Sequence, residues 1–185
     1  MSAATAVGRL SGRTTTAEAS DIALLVEREA PALLAYFGRR VREREDAADL
    51  LGELLTVVWR RRSAIPPDPT AARMWMYGVA RKTLARHRRG SVRRAALADR
   101  LREELTTRPS IEASDDAARR VRELISKLPE TDREIIGLSY WEGFSLVEVA
   151  RILGMPPATV RSRHARAKAR LRGALLAEDE IQRGT

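Results

Sequence analysis

The sequence predicts an all-α fold made of two small helical domains joined by a flexible linker, with a helix-turn-helix in the second domain. The 185-residue chain is rich in alanine, leucine, arginine and glutamate, which are strong helix formers. Apolar residues make up 44% of the chain and charged residues 32%, so there is enough apolar surface for a packed core. Apolar residues recur at helical spacing in two blocks, and a polar segment separates these blocks.

The two blocks set the predicted domain boundaries, with the first domain at residues 20–90 and the second at residues 115–177. Residues 91–114 have little apolar periodicity and contain threonine, proline and serine, so they predict a linker whose first half can extend the preceding helix. Residues 1–19 are small and polar and lack the apolar centre of a signal peptide, so we expect a disordered segment there. Residues 178–185 form a short tail.

Three helices are predicted in the first block. The first begins near Ser20 and contains Pro31, which is expected to kink or split it. The second begins at Asp46 and carries the apolar residues Leu50, Leu51, Leu54, Leu55, Val58 and Trp59. A proline-rich segment at residues 66–69 then interrupts the helical pattern, and the third helix begins after Thr70.

Four helices are predicted in the second block, and two of them carry the sequence signature of an N-terminal capping box. Thr131 and Glu134 have the required spacing, and Ser145 and Glu148 repeat it. In such a box the hydroxyl accepts a hydrogen bond from the first helical turn, and the carboxylate accepts one from the capping residue. The predicted helices cover residues 115–127, 132–141, 146–153 and 157–176.

The third and fourth of these helices have the dimensions of a helix-turn-helix, with Gly154 closing the first and Pro157 opening the second. Turning the second helix by about 100° per residue separates an apolar face from a face of small residues and arginines. Small side chains let a backbone approach the floor of the major groove, and arginines bind guanine edges or phosphates. The predicted apolar face is Val160, His164, Ala167 and Leu171, and the predicted DNA face is Ala158, Arg161, Ser162, Ala165, Arg166 and Ala169.

The distribution of charge points to a polyanionic partner. The net charge is +9, which on its own would suit either a nucleic acid or an anionic membrane surface. Basic residues are concentrated in two segments without acids, residues 69–98 and 149–177, which predicts two separate contacts with a nucleic acid. For an isolated basic helix, a helical hairpin with a solvated arginine face would be the simpler interpretation. Here the turn, the caps and the absence of acids together favour DNA binding.

Several classes of function lack their sequence signals. The chain has no cysteine and two histidines, and it contains no glycine-rich phosphate loop, zinc-protease motif or catalytic triad order. We therefore predict that the protein is not an enzyme and needs no metal or cofactor. No apolar run approaches the ~20 residues that span a bilayer, so we expect a cytoplasmic protein without membrane insertion.

Residues 128–172 resemble region four of the extracytoplasmic-function (ECF) sigma factors of RNA polymerase. The matching features are the Leu-Pro opening, the Glu-Gly turn, Glu-x-Ala, Leu-Gly and the Thr-Val-Arg-Ser-Arg run. Residues 46–60, with spaced acids and a final Trp-Arg, resemble the polymerase-binding helix of region two. Residues 75–89 resemble the region-two helix that meets the minus-ten promoter element. The resemblance covers both blocks of the chain.

The resemblance implies a transcription initiation factor that directs core RNA polymerase to promoters. Region two would dock on the clamp helices of the beta-prime subunit, and region four on the beta flap. Promoter DNA and an anti-sigma protein are the further partners that it implies. The resemblance and the physical arguments together predict minus-thirty-five contacts at Ser145, Thr159, Arg161, Ser162, Arg163 and Arg166, minus-ten contacts at Trp75, Arg81, Lys82, Arg86, Arg88 and Arg89, and polymerase docking at Asp46, Asp49 and Glu53.

Three positions of region two depart from the family pattern. Gly52 stands where glutamine is usual, Lys82 where asparagine is frequent and Arg86 where aspartate is frequent. The first change predicts weaker docking, and the other two predict altered minus-ten specificity. Trp75 is a candidate for stacking on an unpaired base, and burial in the core is the competing interpretation.

Two other classes of function remain open at this stage. One is a helix-turn-helix regulator that binds DNA without docking on polymerase, for which the second block alone would be enough. The other is a helical adaptor that binds acidic proteins with its basic faces. Asp46, Asp49 and Glu53 are spaced i, i+3 and i+7 and therefore form an acidic stripe on one face of the predicted second helix. This stripe and the basic helix of the first block argue against the lone regulator.

Overall fold

The computed structural model describes the backbone of residues 4–41, 43–99 and 116–183, and the side chains of residues 21–90, except 42, and of residues 120–177. All regular elements within these ranges are helices, so the all-α prediction is confirmed. The chain divides into two compact units, Met1–Arg94 and Ala95–Thr185. Each unit is described separately below.

The first unit is built from three α-helices and one turn of 3-10 helix. The long α1 and α3 flank a shorter α2, and α1 packs against α2. The elements are α1 (Ala4–Gly38), α2 (Arg44–Arg60), the 3-10 turn (Arg62–Ala64) and α3 (Pro69–Asp99).

Helix α1 is longer than the sequence predicts. It begins at Ala4, where a disordered segment is expected for residues 1–19, and it continues through Pro31 without ending. Adding residues to an existing helix needs no new nucleus, which favours extension through the alanine-rich start of the chain. A proline inside a helix costs about 3 kcal/mol. Burial of the following Leu33, Tyr36 and Phe37, each worth about 2 kcal/mol, offsets that cost.

The core of the first unit is formed by the apolar faces of all three helices. Tyr36 makes edge-to-face contacts with Phe37 and Tyr77, with both pairs of ring centroids 5.5 Å apart. Tyr77 is therefore a core residue and is fully buried. The other large buried side chains are Leu33, Leu50, Leu54, Val58 and Met76.

Residues 116–183 of the second unit form four helices, α4 (Asp116–Ser126), α5 (Glu130–Tyr140), α6 (Leu146–Leu153) and α7 (Pro157–Arg183). The predicted capping box at Thr131 is wrong, because α5 begins earlier and its N-cap is Pro129, which offers no side-chain acceptor. Glu130 and Asp132 stabilise this N-terminus instead by placing negative charge in the first turn.

The helix-turn-helix prediction is confirmed at the turn and at both helix ends. The Ser145 hydroxyl accepts from the Glu148 N–H at 3.3 Å, and the Ser145 N–H donates to the Glu148 carboxylate at 2.7 Å. Gly154 ends α6 in the left-handed conformation, with φ of 66°, which a residue with a Cβ adopts at a cost. Pro157 is the first residue of α7.

Two helices continue past the predicted domain boundaries. Helix α3 continues to Asp99, into the part of the predicted linker that was expected to be able to extend the preceding helix. Helix α7 continues to Arg183, into the segment predicted as a tail. The remainder of the predicted linker, from residue 100 to residue 114, lies outside the described residues. The domain boundaries themselves stay predictions.

Candidate nucleic-acid interface

Helix α7 has two faces of opposite character. Val160 and Ala167 are fully buried and Leu171 is half-buried, because α7 packs on α5 and α6 along this side. The opposite side is free of acidic residues over residues 158–169 and lies on the surface of the unit. All six residues predicted for the DNA face are exposed, namely Ala158, Arg161, Ser162, Ala165, Arg166 and Ala169.

The N-terminus of α6 also lies at the surface, where Ser145 is exposed. Both the N–H and the hydroxyl of Ser145 are already held by Glu148 inside the capping box. The capping carboxylate adds negative charge at this point, so the geometry assigns Ser145 a structural role before any phosphate contact. Thr159, in the first turn of α7, is half-buried.

Arg163 points away from the predicted DNA face, which corrects its place in the site. Its Nη1 donates to the carboxylate of Asp132 on α5 at 2.8 Å, and Asp132 is buried. The Arg163 guanidinium is therefore bound to Asp132 within the unit and does not lie on the same face as Arg161 and Arg166. Sequence reasoning missed Asp132, whose only signal was an acid in a segment expected to form a helix.

His164 borders the packing face of α7 and stacks on Tyr140 of α5, with ring centroids 5.7 Å apart and ring planes 18° from parallel. Its Nε2 atom is buried and has no hydrogen-bond partner among the residues that the structure describes. Burial, together with the nearby positive charge of Lys168, lowers the pKa of His164 below the usual value near 6.5.

This lowered pKa predicts a pH dependence of stability. Between the folded and the unfolded pKa the unfolded chain binds more protons, so the free energy of unfolding falls as the pH drops below about 6.5. Substitution of His164→Gln removes the titration. Urea unfolding at pH 7.5 and pH 5.5 is expected to show a smaller loss of stability in the variant than in the wild-type protein, and an equal loss in both would contradict the prediction.

The predicted minus-ten residues lie on α3 and are unequally accessible. Lys82, Arg86 and Arg89 are exposed, whereas Trp75, Arg81 and Arg88 are half-buried. The Arg81 Nε atom is buried without a hydrogen-bond partner, and Arg86 donates to Glu53 of α2 at 2.7 Å. Helix α3 thus presents a basic surface, part of which is already paired with α2.

The three predicted docking acids do not share one environment. Asp49 is exposed, but Asp46 lies 3.5 Å from His87 and Glu53 pairs with Arg86, both on α3. The spacing of the acids placed them on one helical face, and the structure adds that this face borders α3.

Trp59, one of the apolar residues that the predicted second helix carries, lies at the surface near the end of α2. It is 53% exposed. The Arg62 guanidinium lies 5.5 Å from the centre of its ring, which is a cation–π contact at the surface. The spacing of apolar residues along the helix did not predict this exposure.

Two absences apply to the described part of the chain. None of its helices is long and apolar enough to cross a membrane. No group of three or more histidine, aspartate or glutamate side chains within it could hold a metal ion.

The fold and these surfaces define a two-unit helical DNA-binding protein, with a helix-turn-helix in the second unit and paired acidic and basic helices in the first. Residues 25–94 match the family description "Sigma-70 region 2", and residues 118–171 match "Sigma-70, region 4". The chain belongs to the sigma-70 family of RNA polymerase sigma factors, in its ECF group.

Two curated relatives agree with this membership, and a solved structure has a similar fold. The chain is 32% identical over 150 residues to the RNA polymerase sigma-E factor of Streptomyces coelicolor, covering 80% of this chain and 82% of the relative. It is 28% identical over 160 residues to the ECF sigma factor SigL of Mycobacterium tuberculosis, covering 85% and 89%. Its fold is similar to the sigma factor RpoE of Bartonella quintana in complex with the anti-sigma factor NepR, with a TM-score of 0.67, 24% identity and coverage of 84% and 96%.

Proposed function

We propose that this sigma factor binds core RNA polymerase through its first unit and reads promoter DNA with both units. The observation that carries the proposal is the outward face of α7, where exposed arginines alternate with small residues and no acid intervenes. A helix with such a face can enter the major groove and contact both base edges and phosphates. The second unit is accordingly assigned to the minus-thirty-five element.

Within this face, Arg161 and Arg166 are the residues we assign to base contacts. Both are exposed, and neither has an intramolecular partner in the described part of the structure that would have to be released. Ser162 lies beside Arg161 and can donate to a base or a phosphate. Thr159 is assigned to a phosphate at the N-terminal end of α7. The predicted phosphate contact of Ser145 at the N-terminal end of α6 would require its hydroxyl to be released from the Glu148 carboxylate.

Helix α3 is assigned to the minus-ten element. Lys82, Arg86 and Arg89 are exposed and can contact the backbone of a separated strand. Trp75 is half-buried, which leaves part of its ring for stacking on a base. Arg81 and Arg88 border this surface and complete the predicted set.

Helix α2 is assigned to polymerase docking on the beta-prime clamp helices through the exposed Asp49 and Glu53 and the half-buried Asp46. The second unit would contact the beta flap. The solved relative with an anti-sigma factor supports an anti-sigma partner for this chain as well. In this function the protein performs no chemistry of its own, because the polymerase supplies the active site, and it works in the cytoplasm where polymerase acts.

The test combines binding and transcription. The purified chain is mixed with core polymerase at low and moderate salt, and comigration is measured by gel filtration. Start sites mapped after overexpression then supply promoter fragments for run-off transcription. We expect comigration and promoter-dependent transcripts that disappear when the chain is omitted.

The outcomes separate the competing functions. DNA binding without comigration would indicate a helix-turn-helix regulator that acts without polymerase, an alternative that the region-two match does not favour. Comigration without promoter-dependent transcripts would indicate an adaptor.

A further inference from the structure

A buried carboxylate connects the first turn of α5 to the recognition helix α7. Asp132 is 5% exposed, and a charge this deeply buried is stable only when it is paired. Both of its ionic partners lie on α7, with Arg163 Nη1 at 2.8 Å and Arg170 Nη1 at 3.9 Å. The two arginines are seven residues apart, so they lie two turns apart on the same side of the helix.

These arginines lie on one flank of the buried stripe of α7. At about 100° per residue, Arg163 falls roughly 60° to one side of Val160, which marks the centre of the stripe. His164 falls roughly 40° to the other side. There it stacks on Tyr140, at the C-terminal end of the same α5 that carries Asp132.

Helix α5 therefore holds α7 by both flanks as well as along its centre. A helix held only by an apolar stripe such as Val160 and Ala167 can roll about its own axis, because apolar contacts have little directional preference. The ion pair opposes rolling in one direction, and the stacked rings oppose it in the other. The roll angle decides which side chains face DNA, and a contact displaced by about 1 Å loses its hydrogen-bond geometry.

We propose that Asp132 is a positioning residue for promoter recognition: by holding Arg163 on the flank of α7, it fixes the rotation at which Arg161 and Arg166 face the minus-thirty-five element. The inference rests on the proposed function of α7. The Asp132–Arg163 pair has a second consequence. Asp132 neutralises the positive charge of Arg163, which would otherwise strengthen binding to any DNA sequence.

Positioning and simple electrostatics predict opposite effects when this carboxylate is removed. The Asp132→Asn variant gains one unit of positive charge and releases two arginines, so electrostatics alone predicts tighter binding to every DNA sequence. Positioning predicts a loss of discrimination. Base contacts require alignment, whereas phosphate contacts carry little sequence information.

The experiment uses the holoenzyme assembled from core polymerase and the full chain. Dissociation constants are measured for two promoter fragments, one with the mapped upstream element and one with that element scrambled. Discrimination is the dissociation constant for the scrambled fragment divided by that for the intact fragment. We expect Asp132→Asn to lower this ratio at least tenfold, with binding to the scrambled fragment unchanged or tighter. Asp132→Glu, which keeps the charge, is expected to retain part of the discrimination. The matched control Glu123→Gln removes one exposed acid on α4 and should leave the ratio unchanged.

An unchanged ratio, or equal tightening on both fragments, would overturn the proposal. If circular dichroism shows that Asp132→Asn has lost helical structure, the same ratio is measured for the double variant Asp132→Asn/Arg163→Gln, which leaves neither member of the pair charged. Reduced discrimination in the folded double variant supports the proposal, and discrimination equal to wild type overturns it. Failure of the wild-type holoenzyme to discriminate would instead refute the assignment of α7 to the upstream element.

Discussion

Replacing either Arg161 or Arg166 by alanine should weaken holoenzyme binding to the minus-thirty-five element by about 1–3 kcal/mol, which is roughly 5- to 150-fold in Kd. Both side chains are exposed on the face of α7 that lies opposite the buried Val160 and Ala167. An arginine that forms two hydrogen bonds to a guanine contributes that much discrimination. Kd is measured by fluorescence anisotropy on fragments with intact and scrambled upstream elements.

The comparison of fragments separates base contacts from phosphate contacts. Loss of a base contact weakens binding mainly to the intact element. Loss of a phosphate contact weakens binding to both fragments alike, and it reduces the slope of log affinity against log salt concentration by about one. Arg122→Ala, an exposed arginine of α4 outside the helix-turn-helix, removes the same charge and should leave the ratio unchanged. Unchanged promoter affinity in both the Arg161 and the Arg166 variant would refute the assigned face.

The orientation of α7 could be predicted because it depends on local signals. Ser145 and Glu148 form the predicted capping box, Gly154 takes the left-handed conformation and Pro157 starts the next helix. Once both helix ends are fixed, the spacing of the apolar residues alone determines which face is buried. The exposure of Arg161 follows from that spacing.

The pairing of individual charges could not be predicted, because it depends on helices that are distant in sequence. Asp132 and Arg163 are 31 residues apart, and Glu53 and Arg86 are 33 residues apart. Helical periodicity places each side chain on a face of its own helix but does not say which other helix packs there. The same limit explains Trp59, whose exposure depends on what lies beyond the end of α2.

The start of α5 was mispredicted for a different reason. The sequence at Thr131 has capping-box spacing, but the helix can also begin after Pro129, with acids in its first turn. Capping by a hydroxyl contributes about 1 kcal/mol, and negative charge near the N-terminus contributes a similar amount. Two local solutions of similar energy cannot be separated by pattern alone.

Across the first unit, the contacts between α2 and α3 bear on both proposed interfaces. Glu53 is assigned to polymerase and Arg86 to DNA, yet they form an ion pair with each other at 2.7 Å. Both side chains are more than half exposed, so the pair contributes at most about 1 kcal/mol to stability. If docking brings Glu53 against a basic surface of polymerase, as proposed, that surface can compete for Glu53 at small cost, and Arg86 would then become available to DNA.

Reversing the charge of Asp49 and Glu53 together should abolish most polymerase binding. The Asp49→Arg/Glu53→Arg variant would place two arginines against the basic partner surface that these acids are proposed to meet. Like charges brought together at an interface cost several kcal/mol, which corresponds to at least about a hundredfold weaker Kd. Binding to core polymerase is measured by competition against a labelled wild-type chain. Binding of the free variant to a duplex with the upstream element should not weaken, because α7 belongs to the other unit and the added positive charge favours binding to any DNA.

The control must match the change in charge without touching α2. The Asp21→Arg/Glu27→Arg variant alters two exposed acids of α1 by the same amount and should bind polymerase within about twofold of wild type. The single variant Asp49→Arg preserves the Glu53–Arg86 pair and should give an intermediate loss, because only one charge is reversed. Thermal unfolding of each variant establishes that the first unit remains folded. If the Asp49→Arg/Glu53→Arg variant is folded and binds polymerase as tightly as the α1 control does, α2 is not the docking helix.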